Sequence, residues 1–346
     1  MKKVLEYINN NVLVKVASLN SVSVIVKIIA GFLTSKFIAL FVGSEGMALV
    51  GNLRNFVGSV QSLSILGLYK GVVKYIAQFK NDTFQLSKTI STVFYMGFCS
   101  TLLMSILVYF KAEYINDLIF KDYNNYAYVI RILSMALPFY ALNMFAFSIM
   151  NGFAKYKYLI IFNILGQILG AVITIVLIWQ EKIDGALIAV VIAESIIFLI
   201  TLVGIANRKN FVPLIKASNF SLNFAKKLSS YSGMALFSAI ILPLVAILIR
   251  SYIIDNIGLK EAGFWEAMNR ISKYYLLFVS TLLTMYILPR FSEIDNIKDF
   301  RKEVFSFYKT IIPIFALGLI VVYFLRGFIV DLVFTEEFRS VEDLFF

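Results

Sequence analysis

Positively charged side chains lie inside long apolar stretches of this 346-residue chain. Lys27 stands in the middle of NSVSVIVKIIAGFLTSKFIALF, and Arg54 and Arg270 lie in similarly apolar surroundings. A cation at the centre of a bilayer costs about 2.5–3.5 kcal/mol, so several of them require water or a negatively charged partner nearby. These residue types therefore predict a wet, cationic cavity that receives an anionic ligand.

Helical spacing sorts the cations by the faces on which they lie. Lys27 shares a polar face with Ser23 and Gly31, whereas Lys36 points to the opposite face of the same helix. Arg54 shares a face with Gly58 and Gln61. We therefore expect Lys27 and Arg54 to face the cavity.

A second polar face carries Glu266, Arg270, Lys273 and Tyr274 on one later helix. Glu266 precedes Arg270 by one turn, so the two can instead form a structural ion pair within the helix. Lys36 and Arg250 lie near the ends of their apolar segments, where a long side chain can reach the interface and need not bind a ligand.

Glu194 is an isolated carboxylate deep in another apolar segment. Three roles are open to it, namely proton coupling, pairing with a cation, and a contribution to packing alone. Glu266 is the other carboxylate that could take part in coupling.

The composition predicts an all-α polytopic membrane protein. Hydrophobic residues make up 60% of the chain and the mean hydropathy is +0.83, above the values of soluble domains. Apolar runs of about 20 residues, continuous and not alternating, predict transmembrane helices. Complete spans are predicted at residues 13–41, 47–78, 87–110, 125–150, 157–179, 184–206, 228–254, 262–289 and 304–325, and a tenth begins near Val341.

Several functional classes are disfavoured by residue usage. The chain has one Cys and no His, so we expect no disulfide framework, no His-based metal site and no metal or other cofactor. The formal net charge of +11 indicates a loop-charge bias, and we expect no nucleic-acid partner. No P-loop, HExxH or nucleophile elbow is present, so we predict no catalytic residues and no enzymatic activity.

The charged connections predict the orientation. Lys and Arg on one side of the predicted spans outnumber those on the other side by about three to one, which places that side and the N-terminus in the cytoplasm.

An internal repeat is visible at offsets of 214 and 216 residues. The sequence VYFKAEYINDLIF at 108–120 matches VYFLRGFIVDLVF at 322–334, and Arg54 matches Arg270. Both copies begin on the same side, which is typical of parallel two-lobed transporters. We predict an N-terminal lobe of six helices at 1–206, a cytoplasmic linker at 207–227, and a C-terminal lobe at 228–346 with three helices and the start of a fourth. The repeat arithmetic predicts that the second lobe is truncated.

Three stretches resemble a known family, namely residues 26–56, residues 67–79, and residues 270–294 with the sequence RISKYYLLFVSTLLTMYILPRFSEI. The Gly43-x-x-Gly46 turn, the Asn52-x-Arg54 pair and Gly71-Val-Val-Lys74-Tyr75 carry the likeness. With these features the chain resembles the Wzx-type O-antigen and enterobacterial common antigen translocases of the MATE-like exporter superfamily.

The resemblance implies two pseudo-symmetric six-helix lobes and a flippase for an undecaprenyl-diphosphate-linked oligosaccharide. Such a protein moves its substrate from the cytoplasmic to the periplasmic leaflet of the bacterial inner membrane. Its partners would be the lipid-linked glycan, membrane lipids and the polysaccharide polymerase machinery. The substrate-binding role would fall on Lys27, Arg54 and Arg270, with Lys36, Arg250 and Lys273 secondary.

Two alternatives remain open. A multidrug or cation exporter of the same superfamily would require acidic side chains in the cavity. A membrane glycosyltransferase or polymerase acting on the lipid-linked glycan would require a loop with catalytic carboxylates.

Overall fold

The computed structural model describes residues 12–121, 125–206, 212–282 and 296–345, and the regular secondary structure in these ranges is entirely helical. The α-helices are α1 Val12–Phe41, α2 Gly43–Ser64, α3 Tyr69–Phe79, α4 Thr83–Phe110, α5 Ala112–Phe120, α6 Ala127–Gly152, α7 Tyr156–Ala206, α8 Leu222–Asn256, α9 Leu259–Leu282, α10 Ile297–Phe324 and α11 Arg326–Val333. Short 3₁₀ helices occupy Val212–Leu214, Ala217–Asn219 and Glu336–Leu344.

Six of the described helical segments are long and apolar enough to cross a membrane, or seven if the bent pair Phe315–Phe324 and Arg326–Val333 forms one span. Since α7 reverses at Lys182, its apolar stretch of 48 residues supplies two of the predicted crossings. The prediction of an all-α, multi-span membrane protein is confirmed. Although predicted as a span at 262–289, α9 is not among the six; its 24 described residues carry five charged side chains, and residues 283–289 of the predicted span lie outside the described residues.

The α7 helix is a hairpin whose two halves pack closely. Lys182 has φ 48° and ψ −115°, which no right-handed helix contains. A Cβ added to Gly166 would lie 2.8 Å from Ile197, and one added to Gly170 would lie 4.0 Å from the Cβ of Ala193. Going from Gly166 to Gly170 along the first half, the facing residue moves back from Ile197 to Ala193 in the second half, so the two halves run antiparallel. The small residues allow their close approach.

The predicted span at 47–78 is interrupted between α2 and α3. Leu66 and Gly67 have φ values of 53° and 59°, so the helix cannot continue through them. The hydroxyls of Ser100 and Thr101 on α4 donate to the carbonyls of Leu63 and Ser64, at 3.1 and 3.0 Å. The neighbouring helix thus satisfies backbone groups that the break releases.

Helix α2 lies at the centre of the molecule. It packs against α1, α4, α6, α7, α8 and α9, and its buried side chains include Met47, Val50 and Leu53. The larger apolar core joins these residues to the C-terminal helices through Ile271 and Phe338. Residues on α2 are therefore positioned from both halves of the chain.

The predicted repeat is seen in the local geometry. Helix α4 ends at Phe110 and α5 follows after one residue, Lys111, with φ −99° and ψ 16°. Likewise α10 ends at Phe324 and α11 follows after Leu325, with φ −92° and ψ 7°. The two matching sequences thus each form a long helix and a short helix joined by one residue of similar backbone conformation.

Two segments differ from the predicted helices. The α8 helix begins at Leu222, earlier than the predicted 228, because the Ser221 side chain accepts from the N–H of Phe224 and caps the helix. Where a tenth span was predicted to begin, residues Glu336–Leu344 form a 3₁₀ helix. Its Phe338 and Val341 are buried in the larger core.

Candidate functional site

Arg250, Glu266 and Arg270 form a buried triad beside α2. Glu266 accepts from both guanidinium groups, at 3.3 Å between its Oε1 and the Nε of Arg270, and through its Oε2 from Arg250. All three side chains are at most 2% exposed. The ion pair predicted one turn apart on α9 is therefore present, and it has a second cation from α8.

Residues from the first two helices complete the shell of the triad. Arg250 donates to Oδ1 of Asn52 at 2.5 Å, and Arg270 donates to the hydroxyl of Ser35 at 3.3 Å. The ring of Trp265 lies 5.0 Å from the Arg250 guanidinium carbon, within cation–π range. Helices α8 and α9 are thus joined to α1 and α2 through polar contacts.

Gly51 permits this approach. A Cβ at Gly51 would lie 2.6 Å from the carboxyl carbon of Glu266, a separation that real side chains do not adopt. Gly31 plays the same part for the ring of Tyr274, which packs edge-on against Phe32 at a centroid distance of 4.9 Å. Glycine therefore positions α9 against both α1 and α2.

The triad carries more positive than negative charge. Two guanidinium groups share one carboxylate, and Nε of Arg250 and Nη2 of Arg270 are buried without a hydrogen-bond partner among the described residues. Buried polar groups are normally paired, so these two donors mark a place where an acceptor is missing.

Lys27, Arg54 and Lys273, hereafter the open cations, lie outside this triad, and two of them, Arg54 and Lys273, are within electrostatic range of it. Each is solvent-exposed, and within the described ranges none forms a hydrogen bond or ion pair. Arg54 lies within electrostatic range of Arg270 and Glu266, and Lys273 lies within range of both as well. One turn after Arg54, Gly58 faces open space. Arg54 therefore lies beside an open gap at Gly58.

Glu194 on α7 is the acidic member of this exposed group. It lies within electrostatic range of Lys27 and Arg54, and of Tyr140 on α6. Of the three roles considered from sequence, the structure thus provides the cation partners that the second role requires.

The site as a whole is cationic. It contains five cations, Lys27, Arg54, Arg250, Arg270 and Lys273, against two carboxylates, Glu194 and Glu266, which leaves a formal charge of +3. Charges in a low-dielectric surrounding interact strongly, so this arrangement attracts an anion and repels a cation.

Of the other predicted residues, Lys36 lies outside the site and Arg250 is buried within it. The Lys36 ammonium donates to the backbone carbonyls of Asp331, at 2.7 Å, and Phe334, so it binds the C-terminal end of α11. Such a cation complements the partial negative charge of the helix end. Arg250 lies in the triad and is 1% exposed, so its guanidinium faces Asn52 and Glu266 and not the gap.

Sequence reasoning did not assign site roles to Asn52, Ser35 and Tyr140. Asn52 is buried and also donates to the carbonyl of Ile119 at 3.1 Å. The signal that could have identified it is an amide in an apolar segment, two residues before Arg54. Nothing in the sequence pairs it with Arg250, which lies 198 positions away.

The described residues contain no group of three Cys, Asp or Glu side chains that could hold a metal ion. The donor chemistry of the site consists mainly of guanidinium and ammonium groups, and these suit a phosphate or carboxylate ligand.

Comparisons with known proteins agree with this picture. A family model described as polysaccharide biosynthesis protein matches residues 56–343. The lipid III flippases of Escherichia coli (strain K12) and Shigella flexneri are each 26% identical over 335 residues, covering 96% of this chain and 80% of theirs.

Solved structures share the fold. An inward-facing multidrug resistance MATE family transporter of the MOP superfamily superimposes with a TM-score of 0.75 at 15% identity, over 93% of this chain and 78% of that chain. The MATE multidrug transporter DinF-BH gives a TM-score of 0.64 at 15% identity, over 79% of this chain and 63% of that chain. The expected MATE-like architecture is thereby confirmed.

Proposed function

The chain belongs to the polysaccharide biosynthesis protein family, and on this premise we propose that it is a flippase for a lipid-linked oligosaccharide. The substrate class is an undecaprenyl-diphosphate-linked O-antigen or common-antigen repeat unit. Transport proceeds from the cytoplasmic to the periplasmic leaflet of the inner membrane, with the N-terminus in the cytoplasm. The lipid III flippases, which resemble this chain over 96% of its length, support the substrate class.

One observation carries the proposal, namely the three open cations beside a triad that has excess positive charge. A diphosphate leaving water loses strong hydration, and guanidinium and ammonium donors in a fixed arrangement compensate for that loss. Arg54 and Lys273 lie on different helices, α2 and α9, so one diphosphate can contact both halves of the chain. Lys27 extends the same surface towards α7.

Glu194 is the candidate coupling residue. It lies within electrostatic range of Lys27 and Arg54, so the carboxylate competes with a bound anion for the same cations. When the substrate leaves, Glu194 offsets one positive charge of the empty site and so lowers the cost of returning that site through the membrane. Glu266 has no such freedom, because both of its oxygens are held within the triad.

The membrane potential favours outward transfer. Each negative charge that moves out of a cell with a negative interior gains about 2.3 kcal/mol per 100 mV. A diphosphate is therefore driven in the direction that the flippase serves, and its polyprenyl chain remains in the lipid phase.

The charge of the site argues against the first alternative, a multidrug or cation exporter. A cation exporter needs negative side chains at the binding site, whereas this site has a formal charge of +3. The second alternative, a glycosyltransferase or polymerase, is not supported by the relatives that match 96% of this chain, because they are flippases; an enzyme acting on the same lipid would then be a partner. We propose the polysaccharide polymerase machinery as that partner.

Reconstitution into vesicles of phosphatidylethanolamine and phosphatidylglycerol tests the proposal. The measured quantity is the initial rate at which a fluorescent polyprenyl-diphosphate oligosaccharide becomes protected from an external quencher. We expect Arg54→Gln to lower the rate at least tenfold, which corresponds to about 1.4 kcal/mol of lost interaction. Lys80→Gln is the matched control, because Lys80 is an exposed cation at the end of α3, outside the site. Wild-type vesicles that move the lipid no faster than empty ones would refute the proposal.

A further inference from the structure

An apolar cavity lies apart from the charged site, at the C-terminal end of α2. It measures about 280 Å³ and is bounded by the break between α2 and α3, by α4 and by α6. Its lining is mostly apolar and rich in aromatic rings, and includes Ile65, Tyr69, Phe94, Phe98, Leu102 and Phe145. We call this cavity the α4 pocket.

The polar atoms of the α4 pocket are already occupied. The hydroxyl of Thr101 donates to the carbonyl of Ser64 at 3.0 Å, and that of Ser148 donates to the carbonyl of Phe145 at 2.7 Å. The Tyr69 hydroxyl accepts from Asn151 at 3.2 Å. A polar ligand would lose its hydration here without gaining hydrogen bonds, so the pocket suits a hydrocarbon.

The pocket is accessible from the lipid phase. Phe98 and Leu102 line it and are 53% and 48% exposed on α4, a helix long and apolar enough to cross the membrane. At Gly97, which also lines the pocket, an added Cβ would meet no atom within 4 Å. The pocket therefore has open space beside Gly97, on the side that faces the lipid, and a hydrocarbon chain from the bilayer can enter there.

We infer that the α4 pocket binds a segment of the polyprenyl chain of the lipid-linked substrate, an inference that rests on the proposed function. Aromatic rings offer a large apolar contact area to a hydrocarbon, and the polyprenyl chain is the hydrocarbon that the diphosphate head brings to this part of the molecule. Ile65 lies eleven residues beyond Arg54, about 16 Å along the helix direction. One lipid can therefore place its diphosphate near Arg54 and its chain in the pocket.

Binding in the pocket would hold the chain on the N-terminal helices while the headgroup crosses. The substrate then remains attached to one part of the molecule, and the sugar-bearing head does not diffuse away between the two leaflets. An occupied pocket would give a selectivity for polyprenyl over acyl lipids that the cations cannot provide, because phospholipids carry phosphate as well.

Photo-crosslinking tests the inference on the full chain in nanodiscs of phosphatidylethanolamine and phosphatidylglycerol. The probe is a polyprenyl diphosphate with a diazirine in its chain, and labelled residues are located by mass spectrometry. We expect labelling at residues 93–102, reduced at least fivefold by Gly97→Phe, whose ring fills the cavity. Gly97→Ala, which leaves most of the volume, and Leu103→Phe, which lies on the lipid face outside the pocket, should label within twofold of wild type. If Gly97→Phe does not fold, Ala141→Leu fills the cavity from the α6 wall.

Competition identifies the occupant. Unlabelled polyprenyl diphosphate should displace the probe, whereas dioleoyl phosphatidylglycerol at the same concentration should not. Equal labelling of residues 93–102 by a diazirine-bearing phospholipid, undiminished by polyprenyl diphosphate, would show an acyl chain in the pocket and overturn the inference. Translocation by wild-type vesicles without labelling of the pocket would overturn the inference alone, whereas absent translocation refutes the proposed function.

Discussion

The decisive feature at the scale of single residues is that one carboxylate, Glu266, serves two buried guanidinium groups. Removing one partner of a buried ion pair leaves an uncompensated charge, and this typically costs about 3–5 kcal/mol. Here the loss of the Glu266 charge would leave the buried guanidinium groups of Arg250 and Arg270 to repel each other without an anion between them. Glu266 is therefore essential to the stability of the structure, and the open cations are available for a ligand.

Glu266→Gln should accordingly destabilise the protein by about 3–5 kcal/mol, because the amide keeps the shape but loses the charge. The measurement is the thermal unfolding midpoint of the detergent-purified protein. Glu261→Gln, at an exposed carboxylate on the same helix, should leave the midpoint within about one degree. Equal shifts in the two variants would show that the triad does not hold α8 and α9 in place.

Residue-level prediction from sequence succeeded where the partners are close in the chain. The pair Glu266 and Arg270 was predictable because residues four apart share a helical face. The roles of Lys36 and Arg250 were not predictable, since their partners lie 295 and 198 positions away. The sequence shows that a cation lies within an apolar segment, but it does not show which backbone carbonyl or side-chain amide the cation contacts.

At the scale of elements, glycine decides how closely the helices approach. Gly51 on α2 faces Glu266 without room for a methyl group, whereas Gly58, two turns later, faces open space. The first is a packing position between α2 and α9, and the second lies on the wall of the site. The sequence shows a glycine at both positions and cannot distinguish these two roles.

Gly51→Ala should destabilise the protein by about 1–3 kcal/mol, because the added methyl group must displace a carboxylate that both arginines fix. Gly58→Ala should instead leave the stability unchanged or raise it by up to about 1 kcal/mol, through helix propensity alone. Thermal unfolding of the two variants measures the difference. A stabilised Gly51→Ala variant would contradict the close approach of α2 and α9.

The element boundaries show the limits of pattern-based prediction in a membrane protein. The reversal near Lys182 was predicted, because a polar stretch separates two apolar runs there. The break at Leu66 and Gly67 was not, because no proline or charged residue marks it between Arg54 and Lys70. Its backbone groups are satisfied by Ser100 and Thr101, so the determinant lies on another helix.

At the scale of the whole molecule, a second set of contacts between the N-terminal and C-terminal helices lies near the ends of α1, α5 and α8. Lys121 pairs with Asp255, Ser44 donates to Glu337, and Lys36 binds the end of α11. In a transporter that alternates access, such contacts must separate when the opposite side opens. The fold as an all-α, multi-span protein was predictable from hydropathy, but these pairings between distant residues were not.

The central claim is that the open cations bind the diphosphate of a polyprenyl lipid. The most direct test is the equilibrium dissociation constant of undecaprenyl diphosphate, measured with the purified protein in nanodiscs. We expect Arg54→Gln and Lys273→Gln each to raise the constant at least tenfold, and Lys80→Gln to leave it within twofold. Undecaprenol, which lacks the diphosphate, should bind wild type and Arg54→Gln equally. Unchanged affinity for the diphosphate in both site variants would contradict the account.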